Sequence, residues 1–146
     1  MLIPTKILVP TDFSEHSDRA FGQALDIAKD YNSKVFLLHV IHEAFHLLDL
    51  TLPKETVQLI KEGAMPWARE ILQNHLRDFP QAREIEVETD VRKGIPYVEI
   101  LKEGKVKKID LIVIASLGRS GIAKYLIGSV ARNVLKGSKC HVLLTK

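Results

Sequence analysis

The chain has 146 residues, enough for one domain with its own core and too few for two ordinary ones. Hydrophobic residues make up 46% and charged residues 27%, a mixture that excludes a disordered chain, and no apolar run approaches the length that crosses a bilayer. The net charge of +3 is spread along the chain rather than gathered in a tract, so neither nucleic acid nor membrane is expected as a partner.

In chain order, short apolar runs alternate with longer segments of helical period, the pattern of strand-helix-strand units around a parallel sheet. Residues 6–9 (KILV) read as the first strand. Residues 17–31 follow as a helix with Ala20, Phe21, Ala24, Leu25, Ile27 and Ala28 on one face and Ser14 as its cap. Residues 34–41 (KVFLLHVI) read as the second strand, followed by a loop. Residues 54–79 are helical in period, with Trp67 and Met65 at core-like spacing, and Pro66 is expected to kink or split the segment. Residues 85–91 (IEVETDV) alternate as an edge strand does, and 97–107 form a shorter helix. The continuous apolar run 110–115 (DLIVIA) fits an interior strand covered on both faces. A last helix spans 129–136, with Gly137 suited to the left-handed residue that ends it, and 141–145 is the fifth strand. The expected fold is a single doubly wound α/β domain over 1–146, Rossmann-like, with helices on both faces of a five-stranded parallel sheet. With the strands in order 3-2-1-4-5, a crevice opens at the carboxyl ends of the first and fourth strands, where the winding reverses.

The residues at those two ends carry chemistry. After the first strand stands Pro10-Thr11-Asp12-Phe13-Ser14, in which Asp12 can accept hydrogen bonds from ribose hydroxyls; capping of the next helix by Thr11, Asp12 and Ser14 is the alternative. After the fourth stands Ala115-Ser116-Leu117-Gly118-Arg119-Ser120-Gly121, and nine residues separate Gly118 from the pair Gly128-Ser129. Glycines allow close approach to phosphate, and a helix N-terminus offers amide donors and partial positive charge. Ser129 adds a hydroxyl, and Arg119 and Lys124 add cations. Neither a G-x4-G-K-[ST] phosphate loop nor a G-x-G-x-x-G string after the first strand is present.

Other signals point elsewhere. His39, His42 and His46 beside Glu43 run from a strand into a loop, which reads as surface histidines rather than a metal frame. Cys140 stands alone and reads as structural; with no secretory leader at the N-terminus, a reducing, cytoplasmic location is expected.

The strand followed by PTDFS, LLHVI in the second strand, Gly94-Ile95-Pro96, DLIVIASLGRSG, LIGSVARNVL and the final apolar strand together resemble the universal stress protein family over nearly the whole chain. That resemblance implies an adenine nucleotide, ATP or AMP, with Mg2+ accompanying the phosphates. It maps the family signature Gly-x2-Gly-x9-Gly-Ser/Thr onto Ala115, Gly118, Gly128 and Ser129. Asp12, flanked by Pro10 and Thr11, would hold the ribose or adenine region, Val40 and Ile114 would line the base pocket, and Gly118, Arg119, Gly128, Ser129 and Val130 would surround the phosphates. It also implies a homodimer paired through the last strand, and a stress-response regulator rather than an enzyme. Ala115 departs from the signature: its methyl group is tolerated if the residue finishes a strand, and obstructive if the position needs positive φ or lies against the nucleotide. A nucleotide-independent interaction module and a slow ATP hydrolase or phosphotransferase are the competing readings.

Overall fold

The computed structural model describes residues 1–42, 46–118 and 127–146. Strands β1 (Lys6–Pro10), β2 (Lys34–His42), β3 (Val87–Gly94), β4 (Leu111–Ala115) and β5 (His141–Thr145) form one sheet in the order β3-β2-β1-β4-β5, every pair parallel. Helices α1 (Glu15–Tyr31), α3 (Lys54–Leu76), α4 (Pro96–Val106) and α5 (Ser129–Gly137) are the crossovers; a short α2 (His46–Thr51) precedes α3, and a 3-10 turn (Pro80–Glu84) precedes β3. The fold class and strand order match the sequence expectation.

Side-chain alternation along the strands builds two cores. Ile7, Val9, Val35, Leu37, Leu111 and Val113 face one way and pack with Phe21, Leu25 and Leu72 from α1 and α3. Leu8, Phe36, Leu38, Ile112 and Ile114 face the other way and pack with Ile100 and Val134 from α4 and α5. Burying a side chain of this size contributes about 1.5–3 kcal/mol, so both faces hold the sheet flat against its helices. Ser14 caps α1 by accepting from the Ser17 amide at 3.2 Å, and Asn32 closes that helix in the left-handed region at φ 56°.

Five details differ from the sequence reading. Strand β3 runs Val87–Gly94 rather than 85–91, because its register with β2 continues from Val35↔Val87 to His42↔Gly94. The loop after β2 contains α2. Pro66 lies within an undivided α3, on an exposed stretch where water can satisfy the carbonyl its ring leaves unpaired. Trp67 is 66% exposed, since the buried stripe of α3 runs through Val57, Ala68 and Leu72 instead. Gly137 ends α5 without a positive φ; a β-carbon there would meet Leu101 Cδ1 of α4 at 2.6 Å, so a larger residue would require that side chain to move. Among the described residues, no helix is long and apolar enough to cross a membrane.

Candidate functional site

The two strand ends singled out by the winding meet in one crevice of about 440 Å³, within the size range of small-molecule sites. Its floor is apolar, from Leu38, Val40, Ile100 and Ile114, and its rim is polar, from Thr11, Asp12, Ser116, Gly118, Gly128 and Ser129. Pro10, Ala115 and Val130 also line it. Ten of the eleven residues expected from sequence are thus brought together; the eleventh, Arg119, and the neighbouring Lys124 lie outside the described residues, as does Glu43.

The turn after β1 is held from several sides. Thr11 is buried, its amide donates to the Leu38 carbonyl at 2.8 Å, its carbonyl accepts from His39 Nδ1 at 2.8 Å, and its hydroxyl accepts from the Phe13 amide at 3.0 Å. Phe13 adopts φ 64°, a conformation that costs a non-glycine residue about 1–2 kcal/mol. That cost is offset by packing: the Phe13 ring lies 4.6 Å from His39 and 5.2 Å from His75, and His75 Nε2 contacts Asp18 Oδ1 at 2.7 Å. Asp12, between these clamped neighbours, accepts the Ser14 amide on Oδ1 at 3.0 Å. Its other oxygen faces Gly118, where a β-carbon would sit only 2.9 Å from Oδ2. A side chain at Gly118 would thus have to displace the carboxylate, and the backbone there is not left-handed.

The second loop is tied down at its two ends. The Ser116 amide donates to the Thr145 carbonyl at 2.7 Å, prolonging the β4–β5 ladder, and the Ser116 carbonyl accepts the Gly128 amide at 2.7 Å. A β-carbon on Gly128 would stand 3.2 Å from that carbonyl, so this glycine lets the start of α5 close onto the end of β4. With Gly128 at the N-cap, no side chain among the described residues caps α5, and no acidic residue occupies its first turn. The first-turn amides and the positive end of the helix dipole are left at the crevice wall. Ala115 pairs with Thr145 as the last residue of β4 and is not among the residues with positive φ; its side chain packs on the core face opposite Ile114.

The arrangement offers an apolar slot for a flat ring, a carboxylate, and convergent amide donors for an anion. Of the crevice residues that sequence reasoning did not assign to the site, two stand out. His39, read as a surface histidine, is half-buried and lines the crevice; its place in the alternation after Leu37 puts it on the α1 side of the sheet, which was the available signal. Pro96 lines the rim at the start of α4. His42 also lines the crevice, and among the described residues no cluster of three or more histidine, cysteine or acidic side chains is placed to hold a metal.

Comparison with known proteins places the fold. The model of the universal stress protein family matches residues 4–146. Universal stress protein MJ0531 of Methanocaldococcus jannaschii is 32% identical over 97% of the chain and 81% of its own length. The solved structure of MJ0577, from the same organism, superposes with a TM-score of 0.83 at 30% identity, covering 99% of this chain and 97% of that one. A universal stress protein solved in complex with cAMP superposes with a TM-score of 0.68 at 25% identity, covering 99% and 98%. The chain belongs to the universal stress protein family.

Proposed function

We propose that this protein binds an adenine nucleotide, ATP or AMP, in the crevice between β1 and β4 and acts as a stress-response regulator whose shape or contacts depend on occupancy. The observation that carries the reading is the convergence of Asp12, Gly118 and the uncapped start of α5 on one cavity. In this reading Val40 and Ile114 flank the base, Asp12 takes the ribose hydroxyls, and the amides around Gly118, Gly128, Ser129 and Val130 take the phosphates. The relative that was solved with cAMP supports an adenine ligand. Mg2+ would accompany the phosphates, which supply most of its ligands, with Asp12 as the carboxylate at hand. The same reading includes pairing of the edge strand β5 with a second copy, which would remove an exposed sheet edge.

Binding rather than turnover is the expected behaviour, because among the described residues the crevice presents donors and apolar walls around one carboxylate that is already engaged with the turn. Isothermal titration with ATP, AMP and GTP tests this. Saturable binding of the adenine nucleotides and a steady-state phosphate release at background are expected. Failure of ATP and AMP to bind at millimolar concentration would sink the reading.

A further inference from the structure

Asp12 has no regular secondary structure of its own to hold it: β1 ends at Pro10 and α1 begins at Glu15. Its Oδ1 accepts the Ser14 amide at 3.0 Å, and the residues on either side of it both lead to one ring. Thr11 places its carbonyl 2.8 Å from His39 Nδ1, and Phe13 places its ring 4.6 Å from the His39 imidazole. We propose that His39 is the positioning residue of the crevice, holding the Thr11 carbonyl and backing the left-handed Phe13 so that the carboxylate between them is aimed at Gly118. The proposal rests on the nucleotide-binding reading, since aim matters only if something is held there.

The chemistry of the contact is one-sided. A carbonyl oxygen can only accept, so Nδ1 carries the proton, and this bond survives whether the ring is neutral or cationic. His39 comes from β2, whose register with β1 pairs Pro10 with Leu38; the residue one step beyond therefore lies level with Thr11, at the first position after the strand pairing ends. It continues the ladder with a side chain where the backbone of β1 has turned away. Removing it leaves the Thr11 carbonyl without its donor and lets Phe13 relax out of a conformation it does not favour. The Asp12 carboxylate then keeps its bond from the Ser14 amide but loses the support of the backbone on either side of it.

Three variants separate aim from packing. His39→Leu keeps the volume and removes the donor; His39→Asn restores an amide N–H near the Nδ1 position; His39→Gln carries the same amide one methylene too far. Each is titrated with ATP and AMP and unfolded thermally. Loss of one positioning hydrogen bond predicts binding weakened about tenfold for Leu and Gln, with Asn recovering most of it. Stability does not follow that order if the role is positional. Affinity for Leu within about twofold of the unsubstituted protein, or Asn as weak as Gln, would overturn the proposal. If Leu does not fold, the gap between Asn and Gln decides alone. Absence of nucleotide binding in the unsubstituted protein removes both this inference and the reading beneath it, whereas binding that ignores all three substitutions removes only this inference.

Discussion

Two polar regions flank the second core, and they treat their charges in opposite ways. In the crevice the donors are turned outward: the start of α5 lacks a side-chain cap. Along the opposite edge, where α4 lies on β3, the charges are turned on one another. Arg92 donates to Glu99 at 2.8 Å and to Glu103 at 3.0 Å, Lys102 reaches Glu99 at 3.3 Å, and Lys107 reaches Glu88 at 2.7 Å. The Arg92 hydrogen bond holds the Glu99 carboxyl below its ordinary range, and Lys107 does the same for Glu88. A network whose charges pair mostly with one another fastens a helix to an edge strand and turns little toward a ligand; a network left open at a strand end has the reverse character. Polarity alone does not mark a site, whereas donors without internal acceptors do.

If the comparison holds, damage to the crevice should show in binding and damage to the edge in stability. The largest effect is expected from Gly118→Val. Its side chain would enter the space taken by Asp12 Oδ2, and nucleotide affinity should fall by about a hundredfold or more, about 2.7 kcal/mol. Thermal unfolding should change little, because Gly118 lies on the rim and belongs to neither core. A titration that finds near-normal affinity would break the comparison on the crevice side.

A smaller effect, confined to stability, is expected at Glu103. This side chain is fully buried, its Oε2 accepts from Arg92, and its Oε1 has no partner among the described residues, while Asp90 lies within hydrogen-bonding reach of the carboxyl. Burial, then the Asp90 carboxyl, pushes the Glu103 pKa up from its ordinary 4.5. Protonation of Glu103 would supply a donor there. Between the unfolded and the raised folded value the native state binds more protons than the unfolded chain. The contribution is therefore complete below the unfolded value and is lost as pH rises through the folded one. Glu103→Gln keeps a donor for Asp90 and an acceptor for Arg92 and cannot ionise. Its melting temperature relative to the unsubstituted protein should accordingly rise by a few degrees between about pH 4 and about pH 8. Glu88 and Glu99, whose lowered values favour stability at higher pH, are common to both proteins and cancel in the difference. A difference curve flat with pH would show that Glu103 takes up no proton there. Nucleotide affinity should be the same in both proteins.

The sequence made the crevice legible for a topological reason. Apolar runs at regular intervals point to a doubly wound parallel sheet, the order 3-2-1-4-5 expected of such a sheet sets where the winding reverses, and Asp12, Gly118 and Gly128 stand at that reversal. Features set by tertiary contact were not legible. Glu88, Asp90 and Arg92 alternate with Val87, Thr89 and Val91, and a reading by hydrophobicity stops the strand at Val91; the continuation is held by ion pairs to α4 that no periodicity announces. Trp67 has a helical spacing from Ile60 and Ile71, but a spacing does not say which of two adjacent stripes meets the sheet. His39 was hidden because its partner is a backbone carbonyl 28 positions earlier.

The smallest expected effect sharpens the comparison most, because it concerns Ala115, the position at which the sequence reading expected a departure from a glycine signature. Ala115 closes β4 in register with Thr145, outside the left-handed region, with its methyl group packed toward α1 and away from the face that carries Ile114. Nothing about that backbone calls for glycine. Ala115→Gly should thus tighten nucleotide binding by no more than about threefold, while the added chain entropy and lost packing cost stability about 0.5–1 kcal/mol. Titration and denaturant unfolding of the same preparation measure both. A tenfold gain in affinity would instead place the Cα of this residue against the bound nucleotide, and the methyl group would then be a device that weakens binding rather than a silent replacement.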